Sequence, residues 1–218
     1  MPLDYAPLRV EVRTPRLVLR GATDELLGEL LPFVRAGVVG RDEAPFDDPM
    51  SLYADNPERE WRWLRRIWQG RATVTDEQWR LYFVVMIDNT PAGMQDLVAR
   101  NFASLGTVST FSWLAPAYRR RGFGKEMRAA VLELAFAGLG ALEACSDAFT
   151  DNAASNGISQ ALGYEANGTE WATRRGERAL LSRWKLSRER WDERRRSDIT
   201  LLAVDACREA LGLSRPTR

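Results

Sequence analysis

The chain has 218 residues, 45% of them hydrophobic and 28% charged, with a formal net charge of +1. That length and apolar share suit one sizeable core, so a single domain over 1–218 is expected. The near-neutral balance lacks the basic excess of a duplex-binding protein, and the absence of histidine removes Ser-His-Asp hydrolases and the common zinc sites.

At the N-terminus, Met1-Pro2-Leu3-Asp4-Tyr5 lacks the charged-then-apolar pattern of a signal peptide. No apolar stretch approaches the roughly 20 residues of a membrane-spanning helix, so no membrane partner and a cytoplasmic location are expected. Val10 to Arg20 reads as a strand, and Thr23-Asp24-Glu25-Leu26 as the capped start of a helix. Asp42 to Asn56 is rich in turn formers and acids and reads as an irregular loop. Its Asp42, Glu43, Asp47 and Asp48 would suit a cationic acceptor if they faced a cleft, though an exposed acidic loop is the commoner meaning. From Glu58 to Trp68, Trp61, Leu64 and Trp68 fall at helical spacing, with Trp63 and Ile67 on a neighbouring stripe. These tryptophans are expected in the core, the alternative being that one lines an acceptor pocket.

Arg80 to Ile87 is an apolar strand, Asp88-Asn89-Thr90-Pro91-Ala92-Gly93 a hairpin-like turn, and Met94 to Phe102 the returning strand. Thr107 to Leu114 is a further strand, and an amphipathic helix runs from about Lys125 to Leu139, with Met127, Val131, Leu134 and Ala135 on one face. Ala141 to Phe149 is a strand, and Asp151-Asn152-Ala153-Ala154-Ser155 opens a helix that ends near Leu162-Gly163-Tyr164. Strands follow around Thr169 to Arg174 and Arg178 to Leu186, and an amphipathic helix is predicted over Ser197 to Leu211. That last helix pads the core or meets a second copy in a homodimer. Cys145 and Cys207 form no metal or redox pattern and read as small buried residues.

Between the 107–114 strand and the helix stand Arg119-Arg120-Arg121-Gly122-Phe123-Gly124-Lys125. A strand, a glycine and arginine loop and a helix N-terminus suit a multiply charged phosphate. First-turn amides lack intrahelical acceptors, the dipole is positive there, and arginines fork onto phosphate oxygens. A Walker loop is excluded, since Arg119 stands five residues before Gly124 where glycine is needed, and Glu126 follows Lys125. A dinucleotide fingerprint is excluded because Met127 occupies its third glycine position.

What remains, Arg-x-x-Gly-x-Gly over 119–124, resembles the pyrophosphate loop of the GNAT superfamily of acyl-CoA N-acyltransferases. The flanks extend the likeness: Ser112-Trp113-Leu114-Ala115-Pro116 before the loop, Asn152 and Ser155 opening a helix that closes on Leu162-Gly163-Tyr164, and Thr14-Pro15-Arg16-Leu17-Val18-Leu19-Arg20. These are similar to the RimJ/RimL branch, from about Thr14 to Trp191. Met94-Gln95-Asp96-Leu97 and Lys125-Glu126-Met127-Arg128 resemble an actinobacterial side branch that includes a succinyltransferase.

The resemblance implies an α/β (α+β) GNAT fold, with a central mixed, mostly antiparallel sheet flanked by helices, a core of about 10–191 and a C-terminal helical extension of about 197–212. It implies acetyl-CoA or another acyl-CoA as co-substrate, no metal, and a primary amine as acceptor: a protein N-terminus, a lysine or a small molecule. By resemblance, backbone groups of Ser112, Trp113 and Leu114 would pair with the pantetheine arm, with the Leu114 N–H as oxyanion donor. Amides from Arg120 to Lys125, across Arg121, Gly122, Phe123 and Gly124, would cradle the pyrophosphate, and the arginine side chains, Arg119 included, would reach outer phosphates. Asn152 would bond the cofactor's cysteamine end and Ser155 would stand by the leaving thiolate, although both also suit a helix N-cap. Ser159 occupies the position where many members carry a tyrosine acid. Asp147, or else Asp96, is the candidate base. Succinyl transfer is an alternative if Arg100 or Arg80 reaches the acyl end, and a non-catalytic acyl-CoA-binding module is another.

Overall fold

A computed structural model describes residues 5–39, 45–47 and 52–213. After a short 3-10 turn at Ala6–Arg9, β1 (Glu11–Arg13) and β2 (Val18–Gly21) form a hairpin, where one continuous strand was expected. Thr14 breaks the run: its N–H reaches the Leu17 carbonyl at 2.9 Å, closing a turn around Pro15, which has no N–H for a ladder. Helix α1 (Asp24–Ala36) starts as predicted, with the Thr23 hydroxyl accepting from the Leu26 N–H at 3.4 Å. Of the 42–56 loop, Asp42, Glu43 and Asp48 lie outside the described residues, and Asp47 is exposed.

Helix α2 (Glu58–Ala72) turns its Trp63/Ile67 stripe inward, both 0% exposed, whereas Trp61 and Trp68 are 57% and 47% exposed. The expectation of core tryptophans holds for Trp63 alone. Strands β3 (Gln78–Ile87) and β4 (Thr90–Arg100) meet through Asp88 and Asn89, both in the left-handed region at φ 50° and 58°. That two-residue turn is tighter than the six-residue one expected, and a register shift beside Met86 absorbs the difference. A one-turn helix, α3 (Phe102–Leu105), leads to β5 (Thr107–Leu114) as predicted.

Helix α4 (Phe123–Glu133) continues as a π-turn over Leu134–Leu139 and is followed by β6 (Glu143–Phe149), α5 (Ala153–Ala161), β7 (Glu165–Arg174), β8 (Glu177–Ser187) and α6 (Arg188–Asp192). The C-terminal segment departs from the single helix predicted: β9 (Thr200–Leu202) pairs with β1, and only then does a short helix α7 (Val204–Ala210) form. Hydrogen bonds offered by the unpaired edge of β1 outweigh the helical period of the 199–211 stretch.

Among the described residues nine strands make one sheet in the order β7-β8-β6-β5-β4-β3-β2-β1-β9. Every pairing is antiparallel except that of β5 with β6. The sheet buries both faces. One carries a large core built with α4 and its π-turn, including Phe123, Val131 and Phe136; the other packs α1 and α2, with Trp63, Tyr82 and Trp113 at its centre.

Candidate active site

The one parallel pairing positions the site. β5 and β6 are in register only over Thr107–Ser109 with Glu143–Cys145, and beyond those residues the two strands part. Both keep their outer antiparallel partners to the end, β5 with β4 and β6 with β8. A wedge therefore opens between Thr110–Leu114 and Ser146–Phe149 in the middle of the sheet.

Alternation fixes which backbone groups face that wedge. The Ala115 N–H bonds the Ala92 carbonyl at 2.8 Å directly across the β4–β5 register. In an antiparallel ladder, directly bonded pairs recur at every second residue. Trp113 and Phe111 therefore turn their N–H and C=O to β4, and Thr110, Ser112 and Leu114 turn theirs to the wedge. On β6 the Thr150 N–H bonds the Leu180 carbonyl at 3.0 Å, which by the same rule aims Asp147 and Phe149 at the wedge from the other side. The backbone groups of Ser112 and the N–H of Leu114 thus face the wedge. Trp113, contrary to expectation, does not: its backbone belongs to the ladder and its side chain is buried against α1 and α2. Gly93 permits the close approach at this strand end, since a Cβ there would stand 2.2 Å from the Trp113 carbonyl oxygen.

Leu114 is held firmly. Its carbonyl accepts from Arg119 Nε at 2.9 Å, and the same guanidinium bonds the Val38 carbonyl after α1. The Arg119 side chain is therefore turned into the protein, away from the solvent side where phosphates would approach, and it fixes the strand end that carries the Leu114 N–H. Arg120, Arg121 and Lys125 are exposed around the loop. Gly122, at φ 83°, takes the left-handed N-cap position of α4, which leaves the amides of Phe123, Gly124 and Lys125 at the helix mouth without intrahelical acceptors.

A residue that sequence reasoning gave no role holds this loop down. Glu126 is buried, accepts from Arg16 Nε at 2.6 Å and from the Thr14 hydroxyl at 2.6 Å, and thereby ties the β1–β2 turn to the first turn of α4. Arg16 in turn donates to the Arg121 carbonyl at 3.1 Å and lies over the Phe123 ring at 4.9 Å. A carboxylate in the first turn also suits the helix dipole.

Asn152 takes the capping role that was its alternative reading. Its Oδ1 accepts from the Ser155 N–H at 3.1 Å and its Nδ2 donates to the Pro45 carbonyl at 2.9 Å. Through that bond it fastens the segment after α1 above the wedge, where Phe46 stacks on Tyr53 and meets Phe111 edge-on, both at 5.4 Å between centroids. Ser155 is half-buried in the first turn of α5. Ser159, at the position of the expected but missing tyrosine, is buried with its hydroxyl unpartnered among the described residues.

The two candidate bases differ sharply. Asp147 is exposed on the wedge rim, yet the protein around it raises its carboxyl above the usual range, against the lowering effect of Arg183. Asp96 is 1% exposed and locked to Arg80, whose Nε and Nη2 donate to one oxygen, Oδ2, at 3.0 and 2.6 Å. Burial pushes the Asp96 carboxyl up to about 6 despite that cation. Arg80 lies over Tyr82 and Phe111 at 5.1 and 5.7 Å, beside the middle of β5. Arg100 stands at the far end of β4, about seven strand residues from the level of Leu114, or roughly 23 Å.

The sequence profile of the GNAT acetyltransferase domain matches residues 16–165. The chain belongs to the GNAT acetyltransferase family. Several solved GNAT-type structures share its fold. A ribosomal-protein α-N-acetyltransferase, RimL, in complex with coenzyme A superposes with a TM-score of 0.62 at 16% identity, over 80% of this chain and 95% of that one. A putative ribosomal-protein-serine acetyltransferase from Vibrio cholerae gives 0.59 at 19%, over 86% and 99%. A probable GNAT acetyltransferase from Chromobacterium violaceum gives 0.66 at 19%, over 84% and 88%. In this GNAT acetyltransferase the wedge and the mouth of α4 are two separate groups of outward backbone donors, since the N–H groups of Ala115, Tyr118 and Arg119 between them are bonded within the protein.

Proposed function

We propose that this GNAT protein moves an acetyl group from acetyl-CoA to the primary amine of a protein N-terminus, in the manner of the RimJ/RimL branch. The parting of β5 and β6 beside the N-terminus of α4 carries this reading. A pantetheine-like arm carries amides that need partners along a strand edge, and Ser112 supplies a donor and an acceptor there. The α4 first-turn amides, with Arg120, Arg121 and Lys125 around them, suit the pyrophosphate. Leu114 N–H, at the end of the wedge, suits the oxyanion that forms as the amine nitrogen bonds the thioester carbon.

The C–N bond forms, the C–S bond breaks, and one proton leaves the amine as one is taken up by the thiolate. Asp147 stands on the rim as acceptor of the first proton, directly or through water. Ser155, in the first turn of α5, is the hydroxyl assigned to the second. Asn152 positions both by capping α5 and anchoring Pro45. An α-amine, with a pKa near about 8, needs less assistance than a lysine near about 10.4. Acetyl is favoured over succinyl because Arg80, held by Asp96, stands five strand residues, or roughly 17 Å, from the level of Leu114.

The test is thiol release from acetyl-CoA and succinyl-CoA with a free-amine peptide, followed across pH for wild type and Asp147→Asn. A base must be deprotonated, so the wild-type kcat/KM rises with pH through the raised Asp147 carboxyl. The variant loses that limb and about 10- to 100-fold in rate. Equal profiles would remove Asp147 from the mechanism. Absence of thiol release with either donor, from protein that binds coenzyme A, would favour a non-catalytic module.

A further inference from the structure

Outside the wedge, a cleft of about 260 Å³ opens between the C-terminal half of α2, the start of β3 and the end of β4. Arg66, Arg80 and Arg100 line it, with Gln69 and Gln78, and no carboxylate does so among the described residues. Asp96, beneath it, neutralises one guanidinium and fixes its orientation through Nε and Nη2, leaving Arg80 Nη1 without a hydrogen bond among the described residues. Arg80 remains 20% exposed. The cleft therefore carries a surplus of two positive charges with amide and hydroxyl donors interspersed.

The cleft also connects to the wedge. Val98 lines it and pairs with Ser109, which is exposed, and two residues on stands half-buried Phe111, the ring against which Arg80 rests. Along that strip Arg80, level with Val98 and Ser109, lies five strand residues from Leu114 and Arg100 about seven, or roughly 17 and 23 Å. An extended peptide advances by about 3.3–3.6 Å per residue.

We propose that this cleft is an acceptor subsite for an acidic peptide segment, whose carboxylates at about the sixth to eighth positions pair with Arg80, Arg66 and Arg100 while its α-amine lies at the wedge. The inference rests on the amine-acceptor reading above and adds the class of acceptor. Arginine forks bind carboxylates through two parallel hydrogen bonds, and a partly enclosed cleft screens such pairs less than open surface does.

The experiment uses two octapeptides with free α-amines, one with Glu at positions six and eight and the other with Gln there. Their binding to the full chain in the presence of coenzyme A is measured by calorimetry, for wild type and for a double variant, R66Q with R100Q. Both arginines are exposed, so the double variant should keep the wild-type melting temperature; Arg80 is left intact because its removal would strand the buried Asp96. Wild type should bind the Glu peptide at least ten-fold tighter than the Gln peptide, and the double variant should bring the two within about two-fold. Indistinguishable binding of the two peptides by wild type, or a preference that survives in the double variant, would overturn the proposal. Binding is read without turnover, so the two readings fail separately: bound Glu peptide without thiol release would count against the transferase, and thiol release without a Glu preference against the cleft.

Discussion

Gly124 stands in the first turn of α4, where the helix mouth presents amides that have no intrahelical partner. A Cβ there would meet Ile158 Cδ1 at 3.0 Å, the movable end of a side chain, so a larger residue is tolerated sterically by a small shift. A carboxylate at this point is stabilised by the helix dipole and sits where a phosphate would bind. Gly124→Asp should therefore melt within a few degrees of wild type and lose at least ten-fold in coenzyme A affinity, read by calorimetry. Unchanged affinity in the folded variant would detach the loop from the co-substrate. At this scale the sequence was informative about the loop and silent about its support. Gly122 and Gly124 stand out in the local string, whereas Glu126 served only to exclude a Walker loop and as part of a flanking resemblance. Its partners, Thr14 and Arg16, lie more than a hundred residues away, a separation no local pattern reveals.

Strands and helices were legible to the extent that one period governed them. β5 follows its predicted limits because a branched and aromatic run is bounded by Gly106 and Pro116. The α2 tryptophans misled because both stripes carry tryptophan, and only the packing against β3 selects Trp63 over Trp61 and Trp68. The side of the ladder to which Trp113 turns was equally hidden, since it depends on the β4 register. The same register pairs β3 with β4 around Asp96, a buried acid with a measurable consequence. Its carboxyl, raised to about 6 by burial, holds its proton more tightly in the native state than in the unfolded chain, where the value is near about 3.9. That contribution to stability is complete below about pH 4 and is lost as pH rises through about 6, by roughly 3 kcal/mol for a shift of two units. Asp24, Glu60, Asp151 and Asp198, each held down by an arginine, run in the opposite sense. The informative quantity is thus the difference between wild type and Asp96→Asn, whose amide resembles the protonated acid. Urea unfolding from pH 4 to 8 should show wild type losing stability relative to the variant as pH rises; parallel curves would mean that Arg80 fully compensates the burial.

Across the whole molecule the sheet separates two tasks. Its middle carries the wedge, and its β1 edge is closed by the C-terminal segment, which the sequence suggested as a helix of uncertain purpose. β9 satisfies the outer hydrogen bonds of β1, and α7 sets Cys207 and Leu211, both 0% exposed, into the core shared with α4. Arg208 then donates to the Gly138 carbonyl at 2.9 Å, near the negative end of the helix that begins at the glycine loop. Five strand spacings of about 4.8 Å separate β9 from β5, roughly 24 Å, so this edge stabilises the fold without touching the wedge. Leu211→Ala should cost about 2–4 kcal/mol, the range for a fully buried leucine, and lower the melting temperature by roughly 5–15 °C in a chain of this size. Coenzyme A affinity, measured below that transition, should stay within about two-fold of wild type. A variant that kept its melting point would show that α7 contributes little to the core. Weaker binding at full stability would instead mean that the Arg208 contact with the far end of α4 reaches the loop at its start, making the C-terminal segment part of the site and not only of the scaffold.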